Sequence, residues 1–279
     1  MRVSLRDALR DAREILPGAQ ARLEAEVLLR HVLQRSQAWL YAHDDDALTD
    51  AQRAAFQHLL ERRCRGEPIA YLLGYREFWS LPLIVTPATL IPRSDTEGLV
   101  ECALALIPPD AQWTIADLGT GSGAVALALA SERPLCRVIA TDASPAALDV
   151  ARNNAHSLKI TNVEFACGDW CAALGVESFA LIVSNPPYIV AGDDHLHEGD
   201  LRYEPASALV SGADGLDAIR AITAQARQHL LPDGWLVLEH GHEQGAAVRE
   251  LLSKTGYVDV ETREDLEHRD RVSLGRFGG

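Results

Sequence analysis

At 279 residues, with 47% apolar and 24% charged side chains, the chain is long enough for a large core and for two domains of ordinary globular composition. Its longest uncharged apolar run, Ala124–Ala130, is too short to span a membrane, and Met1–Ile15 is laced with Arg and Asp where a secretory leader would be apolar, so a cytoplasmic protein is expected. The net charge of −14 lies entirely in residues 86–279, which argues against a nucleic-acid backbone as the main partner and suits a small cationic cofactor or a basic protein.

The N-terminal stretch reads as helices. Ser4 with Asp7 opens a run with Leu5, Ala8, Leu9, Ala12, Ile15 and Leu16 at helical spacing, and Pro17-Gly18 stops it. A second amphipathic helix is predicted over 19–33, a short segment around Trp39-Leu40, and a third helix from Thr49 to Cys64. The periodic leucines of this region are core candidates, and residues 1–73 read as a small helical bundle. Tyr75–Phe78 and Leu83–Val85 look like two short strands, a hairpin linker within 74–86. Ser94, with Glu97 three residues on, is the expected cap of a helix ending before Pro108-Pro109.

Residues 87–279 alternate as an α/β domain does. Strands are predicted at Trp113–Leu118, Arg137–Thr141, Val163–Cys167, Phe179–Ser184, Trp235–Leu238, Tyr257–Val260 and Val272–Leu274, with helices over 122–132, 145–157, 214–230 and 244–254. Ser144-Pro145 marks a helix start. The stretch 189–213, rich in Asp, His and Gly, is an expected loop, its histidines surface residues. Cys64, Cys102, Cys136, Cys167 and Cys171 are scattered, lack zinc spacing, and read as reduced packed thiols, so no metal is expected.

Four carboxyl-end slots carry chemistry. Gly119-Thr120-Gly121-Ser122-Gly123 follows the first strand, where glycines allow a tight turn and close approach of a ligand to backbone. Asp142 ends the second strand, where an acid accepts from ribose hydroxyls; both features fit a dinucleotide or an adenosyl cofactor. Asp169-Trp170 follows the third, placing a carboxylate for an adenine amino group and an indole to stack on the ring. Asn185-Pro186-Pro187-Tyr188 ends the fourth. Two prolines stop the strand in a rigid extended turn presenting an amide oxygen, backbone carbonyls and an aromatic face, a set of acceptors suited to a planar –NH2 group. A hydride transferase needs no such clamp, whereas a methyltransferase acting on planar nitrogen does.

This combination resembles class I S-adenosylmethionine-dependent methyltransferases of amide or exocyclic amino nitrogens. A closer resemblance runs over nearly the whole chain. Gly66–Tyr71, Glu77-Phe78, Leu90–Glu97, Tyr203-Glu204-Pro205, Glu239-His240-Gly241 with Gln244, and Asp270-Arg271-Val272 are similar to HemK-type release factor glutamine methyltransferases. The resemblance implies an α/β, Rossmann-like seven-stranded methyltransferase sheet with its last strand antiparallel, preceded by a small helical N-terminal domain. It implies S-adenosylmethionine held by Gly119, Thr120, Gly121, Ser122, Gly123, Asp142, Asp169, Trp170 and Asn185. It implies catalysis at Asn185, Pro186, Pro187 and Tyr188, and as substrate the glutamine of the Gly-Gly-Gln motif in class I peptide chain release factors. A monomer with no direct nucleic-acid or membrane partner is expected. Ser94 stands where the family usually has a second proline, and His268 where a glycine is common. Rival readings are a methyltransferase of ribosomal-protein glutamine and an amino methyltransferase of adenine or guanine, the latter disfavoured by the acidic catalytic region.

Overall fold

The computed structural model describes residues 3–197 and 199–279, which group into two units. Among the described residues, one unit takes in residues 3–75 with 197 and 199–203, the other Arg76–Leu196 with Glu204–Gly279.

The first unit is helical: α1 (Leu5–Ile15), α2 (Ala21–Leu33), α3 (Gln37–Ala42), α4 (Asp50–Cys64) and α5 (Ile69–Leu73). Hydroxyls start three of these helices. The side chains of Ser4, Ser36 and Thr49 accept from the N–H groups of Asp7, Trp39 and Gln52, and Thr49 with Gln52 closes a reciprocal capping box. Leu5, Leu28, Leu29, Leu40, Phe56 and Leu60 are buried together, so the leucine periodicity is a core pattern. Arg63 reaches Glu24 at 2.7 and 2.8 Å and Asp200 at 2.9 Å, and the Arg65 carbonyl accepts from Arg202 and from the Tyr203 hydroxyl.

A ribbon of β1 (Tyr75–Phe78) and β2 (Leu81–Ile84) follows, which from Arg76 onward belongs to the second unit. Trp79 and Ser80 both have positive φ, 51° and 58°, the twist that a two-residue hairpin turn requires. The second strand starts earlier than its Leu83 expectation because Pro82 is tolerated in so short a ribbon. Phe78 and Leu83 are fully buried in this unit's own core. Ser94 does not cap a helix. Ser94–Thr96 forms a 3-10 turn, α6 (Glu97–Leu106) follows it, and the Glu97 carboxylate accepts from Trp79 N–H at 2.9 Å instead of closing a capping box.

Seven strands then form one sheet: β3 (Thr114–Leu118), β4 (Arg137–Asp142), β5 (Val163–Cys167), β6 (Phe179–Ser184), β7 (Leu230–Glu239), β8 (Tyr257–Glu264) and β9 (Asp270–Phe277). Their order is β5-β4-β3-β6-β7-β9-β8, parallel through β7, with β9 antiparallel to both its neighbours. Alternate residues face opposite layers. Ile115, Leu181, Val183 and Val237 join a cluster with α6 and α7 (Ala124–Glu132), whereas Ala116, Ile182, Leu236 and Leu238 join one with α9 (Asp217–Ala226) and α10 (Gly245–Lys254). The helix expected over 214–230 stops at Ala226, and β7 starts at Leu230 rather than Trp235. A bulge explains the difference: Phe179 pairs with Leu230 but Leu181 with Trp235, leaving Pro232 and Asp233 (φ 65°) out of the ladder.

Strand order reverses between β3 and β6, so a crevice opens beyond their carboxyl ends. Leu118 lies opposite Thr141 and Ser184, and Asp142 opposite Cys167, which brings the ends of β3, β4, β5 and β6 to one edge.

Candidate functional site

The first turn is built by short backbone bonds. Gly119 and Thr120 donate to the Thr141 carbonyl at 2.9 and 2.8 Å. Gly121 N–H donates to one Asp142 carboxylate oxygen at 2.9 Å, and Ser144 N–H to the other at 2.8 Å. Each oxygen keeps a lone pair for a ligand hydroxyl. Ser144 caps α8 (Pro145–Leu158), with proline at its first turn as the dipeptide predicts. Asp117 beneath the turn is wholly buried and accepts from the Thr120 hydroxyl at 2.7 Å and Ala126 N–H at 3.1 Å. Burial pushes its carboxyl up to about 7 against the pull of those two donors. Trp170 packs across the turn: a Cβ on Gly119 would sit 3.3 Å from the indole ring, a tight contact, and the backbone there is left-handed (φ 75°), which favours glycine.

A cavity of about 560 Å³ opens at this edge, within the usual range for small-ligand sites. Gly119, Gly121, Asp142, Asp169, Trp170, Asn185 and Pro187 line it. Thr120 and Ser122 line a smaller recess of about 50 Å³ that shares Gly119, Gly121 and Asn185 with the first and reaches Arg93 and Thr96. Gly123 lines neither. It turns the chain into α7, where a Cβ would press on Leu127 and Ala151. Pro186 is buried, and Tyr188 is half-buried, its phenol pushed up to about 12 chiefly by burial.

The Asn185 amide nitrogen donates to the Thr96 hydroxyl at 3.0 Å. Gln244 latches the far end of the turn: its amide donates to the Tyr188 carbonyl at 3.1 Å while its oxygen accepts from Gly241 N–H at 2.9 Å. Ser184, ending β6, donates to the Leu118 carbonyl at 2.7 Å and ties the two strand ends together.

Sequence reasoning missed part of the cavity wall. Ala88, Thr89 and Leu90 line one side, and Pro205, Ser207 and Ala208 another. Glu204 joins them, its side chain fully buried, accepting from Ile91 N–H at 2.9 Å and pairing with Arg93. Both segments only overlap the motifs that carry the resemblance, at Leu90 and at Glu204-Pro205, and their partnership spans over a hundred residues and has no local signature. The expected loop 189–213 is pinned at its base by a bridge between Ile189 and Val210 and carries short 3-10 turns. Of the five cysteines, all free, Cys102, Cys136 and Cys171 are buried as expected, but Cys64 and Cys167 are exposed. His268, where the family pattern has glycine, has φ 60°, the left-handed conformation that glycine adopts without strain.

Comparison with known proteins places the chain in a family. Residues 7–74 match the family model of the PrmC N-terminal domain, and residues 99–199 that of the methyltransferase small domain. The chain is 56% identical to the release factor glutamine methyltransferase of Xylella fastidiosa strain Temecula1 over 92% of its length and 94% of that protein. It is 51% identical to the release factor glutamine methyltransferase of Escherichia coli K12 over 96% of its length and 97% of that protein. Among solved structures, a methyltransferase from Pyrococcus furiosus superposes with a TM-score of 0.54 at 20% identity, covering 80% of this chain and 99% of that one, a likeness of fold. The chain is a member of the release factor glutamine methyltransferase family.

Proposed function

We propose that this enzyme transfers the methyl group of S-adenosylmethionine to the side-chain amide nitrogen, N5, of the glutamine in the Gly-Gly-Gln motif of class I peptide chain release factors. The observation that carries the reading is the Asn185 amide. Its nitrogen is committed to Thr96, so its oxygen is the end left to accept from a substrate –NH2 beside the cavity.

The residues present fit the cofactor. Asp142 has its backbone donors in place and lone pairs to spare for ribose hydroxyls, Asp169 suits an adenine amino group, and Trp170 offers the ring a face. Gly119 and Gly121 bring backbone close, with Thr120 and Ser122 at the recess, while Gly123 turns the chain into α7. When bound, S-adenosylmethionine supplies an electrophilic methyl group on a sulfonium.

An amide nitrogen is a poor nucleophile because its lone pair is delocalised into the carbonyl. The chain's contribution is position and charge rather than prior deprotonation. The Asn185 oxygen and the Pro186 carbonyl each accept one N–H, fix the nitrogen, and favour the positive charge that grows on it. Pro187 keeps the turn rigid, Tyr188 walls the pocket against water, and the proton leaves after transfer. No general base is required. The helical domain, residues 1–73, contributes to holding the release factor, while the acidic domain 87–279, joined through the 74–86 hairpin, attracts its basic loop. The enzyme acts as a monomer in the cytoplasm, with no direct nucleic-acid contact.

Incubation with labelled S-adenosylmethionine and purified release factors, ribosomal proteins, tRNA or DNA tests this. Label in the release factor glutamine is expected; label in ribosomal protein or nucleic acid instead would replace the reading.

A further inference from the structure

We infer that Gln244 is a positioning residue for methyl transfer: its side-chain amide fixes Tyr188 by the main-chain carbonyl and by the glycine beneath the ring, and so sets the clamp that begins at Asn185. This rests on the methyl-transfer reading above. Gln244 stands at the N-terminal boundary of α10, where Ser, Thr, Asp or Asn would bond forward into the helix. Its side chain makes no such cap and turns back toward the end of β6 instead. Nε2 donates to the Tyr188 carbonyl at 3.1 Å and lies 3.3 and 3.5 Å from the Gly215 and Asp214 carbonyls. Oε1 accepts from Gly241 N–H at 2.9 Å. The partners settle which end is which, because carbonyls can be met only by the –NH2 and an N–H only by the oxygen. Three segments far apart in sequence thus converge on one amide.

The turn from Ser184 to Tyr188 has little freedom of its own, since the rings of Pro186 and Pro187 fix φ. It is tied at its start by the Ser184 hydroxyl on the Leu118 carbonyl, 2.7 Å, and at its end by Gln244. The Tyr188 ring lies over Gly241, where a Cβ would be 3.6 Å from Tyr188 Cδ2. The same amide therefore locates both the carbonyl of Tyr188 and the bed of its ring. Ile189 is bonded separately to Leu209 and Ser211, at 2.9 Å each, so the chain beyond stays in place without Gln244. What Gln244 adds is the set of a rigid turn, and with it the Pro186 carbonyl and the Tyr188 wall. A displacement of about 1 Å at reacting groups can cost ~100-fold in rate. Gln244 lines neither the cavity nor the recess, so cofactor binding should not register its loss.

Gln244→Glu separates donor from acceptor. It keeps the length and an acceptor for Gly241, but sets a carboxylate oxygen against the Tyr188 and Gly215 carbonyls, where only its protonated form can donate. Partial burial beside those carbonyls favours that form, so the variant should regain turnover as pH falls. The titratable neighbours are common to variant and wild type. Asp214 is paired with Arg220, which holds its carboxyl low, and Asp270 behind Gly245 is paired with Arg249 at 3.1 Å. Burial keeps His240 neutral, raises Glu239 to about 7 and raises the Tyr188 phenol to about 12, while His242 and Glu243 are exposed. The ratio of variant to wild type therefore isolates residue 244.

Kinetics of the full-length enzyme with release factor from about pH 5.5 to 9, alongside calorimetric titration with S-adenosylmethionine, test the role. At about pH 8.5, Gln244→Glu and Gln244→Ala should each lose at least tenfold in kcat, with cofactor affinity within about threefold of wild type. Relative to wild type, kcat of Gln244→Glu should rise at least threefold as pH falls to about 6, and that of Gln244→Ala should stay flat. Turnover within twofold of wild type in both variants, a flat ratio for Gln244→Glu, or cofactor affinity falling in step with kcat would overturn the role. If Gln244→Glu does not fold, the split between kcat and cofactor affinity in Gln244→Ala decides. If the wild-type enzyme labels a different substrate, the substrate assignment falls, and the same ratios on that substrate still decide Gln244.

Discussion

In the proposed reaction Asn185 faces the reacting nitrogen and Asp142 the cofactor. Removing the Asn185 oxygen takes away one of two acceptors aimed at charge that develops only during transfer, an effect of about 3 kcal/mol or more. Asn185→Ala should therefore lose at least a hundredfold in kcat while melting near the wild-type temperature; near-normal turnover from a folded variant would refute the clamp. Asp142 has both oxygens braced by backbone N–H groups, so its carboxylate is pre-set before any ligand arrives. Asp142→Ala should weaken S-adenosylmethionine binding by roughly 1.5–3 kcal/mol, the range for a hydrogen bond to a charged group, as read by isothermal titration. Both residues were legible in the sequence because each sits at a strand end announced by glycine or proline. Thr96 was legible only as part of a resemblance, and nothing local signals its contact, since the bond from Asn185 to Thr96 joins residues 89 apart.

Elements show the same division between local signal and tertiary override. A parallel strand buried on both faces reads as a continuous apolar run, as β6 does, and both β6 and the half-exposed edge strand β5 match their expected bounds. The bulge in β7 did not announce itself, because Pro232 looks like a strand breaker until the ladder steps around it. Ser94 misled for a related reason: a long-range bond to Trp79 recruited the glutamate that would have completed its cap. Gly215 shows what loops conceal. It has φ 76°, and a Cβ there would lie 2.3 Å from the Tyr188 carbonyl and 2.6 Å from the Gln244 amide, the two halves of the latch behind the clamp. Gly215→Ala should cost about 1–3 kcal/mol in denaturant titration, as strain and overpacking do, and lower kcat/KM by displacing Tyr188. Wild-type values for both would show that the latch is slack.

For the whole molecule, the excess of negative charge beyond residue 85 is the long-range feature a basic partner would sense. Added salt should slow release factor methylation mainly through association, since screening acts within ~10 Å at 0.1 M, and duplex DNA or tRNA should not compete. A chain beginning at Arg76 should bind S-adenosylmethionine but methylate release factor far more slowly than the full chain, because a lone glutamine offers little of the ~1,200 Å² that specific protein recognition buries. Equal turnover by the two would remove the helical domain from recognition. A cut at Pro87 would be a poorer test, for it deletes Phe78 and Leu83 from the sheet unit's own core, each worth roughly 1.5–3 kcal/mol. The place of His197–Tyr203 in the helical unit also bears on the order in which the protein is made. Every buried residue of that unit's apolar core lies between Leu5 and Leu72, so its collapse can begin while the rest of the chain is still being synthesised. Arg63 and the Arg65 carbonyl must nevertheless wait for Asp200, Arg202 and Tyr203, which emerge only after β3, β4, β5 and β6 have been translated. The first part of the protein to be born is among the last to be finished.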